Sequence, residues 1–209
     1  MEQTDLWKRN AAVQRGRRLE YFTIGWNIIE GAVAVTSGIA AGSISLAGFG
    51  VDSFIEVASG SVLLWRMSVD SDECERKRNE KRALRLVGIC FVALALYIAY
   101  ESATSLGLKQ APEHSIPGII LASISLVVMP LLSHAKRSVG RVLGNTAMHA
   151  DAKQTEFCSY LSAILLIGLV MNAAFGFWWA DPLAGLTMVP LVAKEGVDEM
   201  WGKSCDRCN

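Results

Sequence analysis

The chain has 209 residues, of which 52% are hydrophobic, and its formal net charge at pH 7 is +0. A chain without net charge has no overall electrostatic field to recruit nucleic acid, so a nucleic-acid partner is not expected. Apolar residues form repeated stretches of roughly 20, about the length that a helix needs to cross a bilayer. Such stretches are too long and too numerous for one soluble core, which indicates an integral protein of the lipid bilayer.

Hydropathy predicts an all-α bundle of six membrane-spanning helices. The predicted spans are residues 22–41, 46–67, 83–106, 118–134, 152–175 and 182–200. Residues 1–21 are predicted to be a basic cytoplasmic segment, either a helix on the inner leaflet or the solvated flank of the first span. Residues 201–209 form a short tail, and the few residues that separate the first two spans predict a tight hairpin.

Basic residues are distributed unevenly between the predicted loops. They precede the first span, follow the sixth, and occur between the second and third spans and between the fourth and fifth, where Lys136, Arg137 and Arg141 are assigned to a loop. The opposite side has only Lys109. Because positive residues stay on the cytoplasmic side, both termini are predicted to lie in the cytoplasm of a multi-pass cell-membrane protein.

Two carboxylates lie inside the second predicted span. Asp52 and Glu56 are separated by one helical turn and share a face. Carboxylates this close repel unless a proton or a cation lies between them, and such pairs are natural half-sites for divalent ions. The alternative is a salt bridge to another helix, but the interiors of the predicted spans contain no Lys or Arg apart from Lys153 and Lys194, which lie near the cytoplasmic ends.

The fifth predicted span begins with a polar stripe. At 100° per residue, Asp151, Gln154 and Cys158 share a face, and Glu156 lies on the opposite one. Counting 1.5 Å per residue from the two ends of the spans allows Glu56 and Cys158 to meet near the middle of the bilayer, whereas Asp52 and Cys158 need not be level. A buried cysteine alone is more often a small hydrophobe than a ligand, but a neighbouring carboxylate pair favours ligation.

Further polar residues have weaker assignments. Asn27 and Glu30 in the first span are predicted to support the site, to carry protons, or to form hydrogen bonds between helices, and not to ligate directly. Cys205 and Cys208 in the tail form a CxxC pair, half of a tetrahedral zinc site. Metal capture by this pair and an inert tail are both left open.

These motifs resemble those of the cation diffusion facilitator family. Residues 52–56 (Asp-Ser-Phe-Ile-Glu) resemble its second-helix DxxxD motif, and residues 150–158 resemble its fifth-helix ADxxHxxxD motif. Residues 179–182 (Trp-Ala-Asp-Pro) resemble its entry to the sixth helix. The resemblance covers nearly the whole chain and points to the branch of the family that lacks the C-terminal cytoplasmic domain.

The resemblance implies a homodimeric exporter that exchanges cytoplasmic Zn²⁺, or a related divalent ion, for protons. It places Asp52 and Glu56 at the positions of the two acidic ligands. Gln154 stands where the family has histidine, and Cys158 where it has aspartate. Cysteine makes the site softer and favours Zn²⁺ or Cd²⁺ over Mn²⁺, while Fe²⁺ and Co²⁺ remain possible cargoes.

Other functional classes remain as alternatives. The departures at Gln154 and Cys158 favour a non-transporting metal sensor or an assembly partner with a degenerate site, and a channel is a weaker option. An enzyme is not expected, because no phosphate loop, cofactor fingerprint or HExxH-type spacing is present in the sequence. The sequence therefore predicts a secondary active transporter of divalent metal.

Overall fold

Six helices account for almost all of the computed structural model. It describes the backbone of residues 2–68, 73–109, 112–144 and 146–201, and the side chains of residues 11–65, 82–109, 112–144 and 148–201. The helices are α1 (Glu2–Ala41), α2 (Ile44–Ser68), α3 (Glu73–Leu108), α4 (Ile116–Leu143), α5 (Thr146–Phe175) and α6 (Ala180–Trp201). The predicted all-α bundle is confirmed.

Five of the described helices are long and apolar enough to cross a membrane. These segments are Ala11–Ala41, Ile44–Trp65, Arg82–Leu108, Ile116–Leu143 and Met148–Phe175. The sixth helix carries Asp181 at one end and Lys194, Glu195, Asp198 and Glu199 towards the other, which leaves a shorter apolar centre. The chain is a multi-pass membrane protein, and α6 packs closely on α3 within the bundle.

The first two helices form the predicted hairpin. The turn between them uses Gly42 at φ +64°, a left-handed conformation that glycine adopts without steric cost. Close to the turn, a Cβ atom on Gly38 would lie only 2.5 Å from the backbone nitrogen of Ala47. Glycine at this position therefore lets the backbones of α1 and α2 approach closely.

The helix α1 is longer than the predicted first span. It begins at Glu2 and continues without a break to Ala41, so the basic N-terminal segment and the span form one helix. Gly16 and Glu20 are already buried, although both precede the predicted start of the span at residue 22. The side chains of residues 2–10 lie outside the described residues.

The fourth helix also extends beyond its prediction. Ser115 caps its start by accepting a hydrogen bond from the Gly118 backbone nitrogen at 3.1 Å, and Gly144 at φ 58° follows its end. Lys136, Arg137 and Arg141 are therefore helical, and their assignment to a loop was wrong. The helix continues past residue 134 because Lys136 turns inward to acidic partners described below.

A buried aspartate joins the start of α6 to the hairpin. The Asp181 carboxylate accepts hydrogen bonds from the Ser43 hydroxyl at 2.6 Å, from the Ile44 backbone nitrogen at 3.0 Å, and from the Ser45 hydroxyl. These bonds satisfy polar groups at the start of α2 that would otherwise be buried without partners. They fix the start of the helix that carries Asp52 and Glu56.

Candidate metal site

The acidic pair of α2 faces the inside of the bundle. Asp52 is 1% exposed and Glu56 is 6% exposed. Both oxygens of Asp52 and Oε1 of Glu56 are buried without a hydrogen-bond partner. Among the described residues, neither carboxylate forms a salt bridge. The alternative of a salt bridge to another helix is therefore wrong for this pair.

Cys158 of α5 completes a three-residue group with this pair. One ligand atom from each of Asp52, Glu56 and Cys158 lies within 4.8 Å of the other two. The cysteine is fully buried and makes no disulfide. Glu56 and Cys158 therefore meet, as the helix rise predicted, and a carboxylate oxygen of Asp52 lies close to both.

Asn27 of α1 holds one side of Glu56. Its Nδ2 donates a hydrogen bond to Glu56 Oε2 at 2.7 Å, and both groups are buried. Oε1 of the same carboxylate keeps no partner. An amide that holds one carboxylate oxygen and leaves the other unpaired is consistent with the supporting role predicted for Asn27.

Glu30 lies deeper in the packing between helices. Its carboxylate accepts a hydrogen bond from the Ser53 hydroxyl at 3.0 Å and another from the Ser125 hydroxyl. These contacts join α1 to α2 and α4 next to Asp52. Because both oxygens are engaged, Glu30 acts here as a link between helices and not as a member of the three-residue group.

Gln154 lies beside the group, with its amide oxygen already engaged. The Ser59 hydroxyl donates to Gln154 Oε1 at 3.0 Å, while Nε2 is buried without a partner. Gln154 and Glu56 both line a small cavity, together with Thr23, Asn27, Gly60, Asp151 and Thr155. Gln154 is thus near the predicted site, but its amide oxygen, the atom best suited to ligate a metal, accepts the hydrogen bond from Ser59.

Asp151 is paired with a cation instead of joining the group. Lys136 Nζ lies 2.6 Å from Asp151 Oδ2 and 3.2 Å from Glu20 Oε2. Lys136 and Glu20 are fully buried, and Asp151 is 12% exposed. A buried lysine between two carboxylates is compensated, so this trio of α1, α4 and α5 forms a second polar cluster.

Sequence reasoning missed Lys136 because the predicted fourth span ended at residue 134. A signal was present in the spacing. Met129, Leu132, Ser133 and Val139 are buried on the same helical face. Lys136 follows Met129 by seven residues, so a helix continued past the span would have brought its side chain into the bundle.

Glu195 is a second buried residue that the sequence analysis missed. It lies near the end of α6, is 4% exposed, and has a buried Oε1 without a partner. Its spacing after Met188 and Val192, both buried, places it on the inward face of the helix. The remaining candidates, Cys205 and Cys208, lie outside the described residues.

The donor atoms define what the group can bind. Two carboxylates and a thiolate offer oxygen and sulfur to a cation, a mixed set that suits Zn²⁺ and other borderline-soft metals. When deprotonated, the three groups carry three negative charges within a few ångströms, which is unfavourable in a bundle without a neutralising cation or protons. Fold and site together define a polytopic membrane protein with an intramembrane candidate site for a cation.

The chain belongs to the cation efflux family. The family model of the cation efflux transmembrane domain matches residues 22–203, which is most of the chain. The match includes all three residues of the group, as well as Lys136 and Asp151 of the second cluster, whereas Glu20 lies just before it.

Curated relatives agree with this assignment at low identity. An uncharacterized transporter of Methanocaldococcus jannaschii is 26% identical over 82% of this chain and 62% of its own length. The magnetosome protein MamB of a Magnetospira species is 27% identical over 85% of this chain and 61% of its own. Transmembrane protein 163 of Xenopus laevis is 22% identical, over 86% and 64% respectively. The chain therefore spans less than two thirds of the length of these relatives.

Proposed function

We propose that the protein transports a divalent metal cation across the membrane and that Zn²⁺ is its main cargo. The observation that carries this proposal is the group of Asp52, Glu56 and Cys158, which is buried inside a membrane bundle and forms no salt bridge among the described residues. Ionisable groups inside a membrane are costly and typically mark ion pathways. Membership of the cation efflux family supports transport over enzymatic chemistry.

Protons are the proposed counter-ion. Metal binding needs deprotonated ligands, so an ion that enters the group displaces protons from Asp52, Glu56 or Cys158. When the site opens to the other side, protons return to the carboxylates and release the ion. The three donors act as one coupled unit, because a proton on one changes the charge that the others experience.

The proposed direction is export from the cytoplasm. The excess of Lys and Arg in alternate connections supports a topology with both termini inside. A homodimer is proposed by analogy with the family, with contacts formed by membrane helices or by the tail. Cd²⁺, Fe²⁺, Co²⁺ and Mn²⁺ are secondary cargoes, with Mn²⁺ disfavoured by the thiolate.

Proteoliposomes test the proposal. Purified protein is reconstituted with a Zn²⁺ indicator and a pH indicator inside the vesicles, and external Zn²⁺ is added. Wild-type protein should move Zn²⁺ inward and protons outward, whereas Asp52→Asn should abolish both signals. Cys158→Ser should lower Zn²⁺ and Cd²⁺ flux more than Mn²⁺ flux, because only the softer ions lose a favoured sulfur ligand. Wild-type rates in the Asp52→Asn protein would reject the site.

A non-transporting metal sensor or assembly partner is the second candidate. It is favoured by Gln154, whose amide oxygen accepts a hydrogen bond from Ser59. A histidine at this position would offer a metal a ring nitrogen, whereas Gln154 offers a weaker oxygen that is already engaged. Such a protein would bind Zn²⁺ in a titration but give no flux into vesicles. Binding with flux supports the transporter, and binding without flux supports the sensor.

A further inference from the structure

The carboxylate of Glu195 is buried near the three-residue group and forms no salt bridge among the described residues. The side chain is 4% exposed, and its Oε1 has no hydrogen-bond partner. The nearby Lys153 pairs instead with Asp198 at 3.7 Å. Lys153 and Lys194 both lie 5.6 Å from the centre of the Phe157 ring. Neither nearby lysine therefore neutralises Glu195.

The contacts between α5 and α6 place Glu195 at the depth of the site. The two helices are antiparallel neighbours, with Lys153 opposite Asp198 and Phe157 opposite Lys194. In that register, Glu195 is offset from Cys158 by only about two residues, or roughly 3 Å along the helix axis. The two side chains therefore lie at nearly the same level of the bundle.

The contacts of α2 give the same level for the acidic pair. Ser59 of α2 bonds to Gln154 of α5, and the two helices run in opposite directions. Glu56, three residues before Ser59, is then level with the residue just before Cys158. Electrostatic interactions of Glu195 with Asp52, Glu56 and Cys158 agree with this placement. Helices α2, α5 and α6 pack against one another, so their inward faces meet here.

The three-residue group offers three ligand atoms, whereas a tetrahedral metal ion takes four. Asp52, Glu56 and Cys158 supply three ligand atoms within 4.8 Å of one another, and Glu195 is not part of that tight group. Gln154 lies one helical turn before Cys158 on α5, but its amide oxygen already accepts a hydrogen bond from Ser59. The glutamate has three rotatable side-chain bonds, and a cation between four anionic or polar donors would relieve their mutual repulsion.

We propose that Glu195 provides a fourth protein ligand to the bound ion, so that the site joins the second, fifth and sixth helices. This inference rests on the metal-binding part of the proposed function. It gives α6, the helix with the shortest apolar centre, a direct role at the site.

Cobalt absorption tests the assignment in the full-length protein in detergent or nanodiscs. Co²⁺ alone is the probe, because its d–d bands report the ligand set and a thiolate-to-Co²⁺ band reports Cys158. Glu195→Gln should weaken Co²⁺ binding by about tenfold or more and shift the d–d bands, while the thiolate band persists. The control Asp198→Asn removes an exposed carboxylate of the same helix and should change the dissociation constant by less than about twofold.

The outcomes separate this inference from the proposed function. Wild-type protein that binds no Co²⁺ would overturn the metal site itself, and this inference with it. Wild-type binding with an unchanged spectrum in Glu195→Gln would overturn only the ligand role, even if affinity fell through loss of charge. Should Glu195→Gln fail to fold, Glu195→Asp keeps the charge and shortens the reach. The ligand role then requires shifted d–d bands in that variant, and an unshifted spectrum would reject it.

Discussion

Buried charge takes two different forms in this protein at the scale of single residues. Lys136 is compensated by Glu20 and Asp151, whereas no described lysine or arginine forms a salt bridge with Asp52 or Glu56. Removing one partner of a buried ion pair is strongly destabilising, but the intact pair has no need of a ligand. A buried charge without a partner can instead be neutralised by a bound cation or a proton. The first form therefore serves the fold, and the second is the candidate for function.

This difference predicts how Lys136 contributes to stability. Lys136→Met leaves two buried carboxylates without a cation and should lower the free energy of unfolding by about 3–5 kcal/mol. Combining it with Glu20→Gln and Asp151→Asn should recover most of that loss. The measurement is reversible unfolding in mixed micelles, followed by circular dichroism.

An exposed ion pair offers the control for this experiment. Arg137 pairs with Glu156, and their side chains are 45% and 35% exposed. Arg137→Met should therefore cost only about 0–1 kcal/mol. Equal losses in Lys136→Met and Arg137→Met would contradict the view that burial makes the Lys136 trio essential to the fold.

At the scale of helices, small residues and turn chemistry set how the elements meet. Gly42 permits the tight turn between α1 and α2, and Asp181 ties that turn to the start of α6. Close contact at Gly38 then aligns α1 with α2, so that Asn27 reaches Glu56. The geometry of the site thus depends on backbone contacts some distance from it.

Glycine-to-alanine exchanges at two helical positions test this dependence. A Cβ atom at Gly38 would meet the Ala47 backbone at 2.5 Å, whereas one at Gly107 of α3 has nothing within 4 Å. Gly38→Ala should lower the free energy of unfolding by about 1–3 kcal/mol through overpacking. Gly107→Ala should be neutral or slightly stabilising, because alanine is the better helix former. Equal thermal stability of the two variants would show that the hairpin tolerates separation.

At the scale of the whole molecule, the bundle brings groups from several helices into one coupled site. Asp52 and Glu56 come from α2, Cys158 comes from α5, and Asn27 of α1 donates the hydrogen bond that holds Glu56. No single helix supplies all three donors of the group. The proposed metal affinity would therefore be a property of the assembled bundle, in which metal and protons compete for the same atoms.

This competition predicts the sign of the pH dependence. The three donors must lose protons to bind metal, so the dissociation constant for Zn²⁺ should rise as the pH falls from about 8 to about 6. Binding of one ion should release between one and three protons, the number of ionisable donors in the group. Calorimetry in buffers of different ionisation enthalpy counts them. An affinity that does not change with pH would mean that the ion is held by other groups.

Local features of the sequence were sufficient to predict the helices and the acidic pair on one helical face. Helix length and hydropathy act locally along the chain, so six helices, the hairpin and the pair of Asp52 and Glu56 could be predicted without a fold. The rise per residue of the two helices also predicted that Cys158 can meet Glu56.

Which buried charges meet depends on how the helices pack. Asp151 was predicted to assist the metal but pairs with Lys136, and Glu195 was missed although it lies beside the site. The physical reason is that compensation of a buried charge depends on which faces of distant helices touch. That information resides in the packing of α1 with α4 and of α6 with α2 and α5, not in any local pattern of residues.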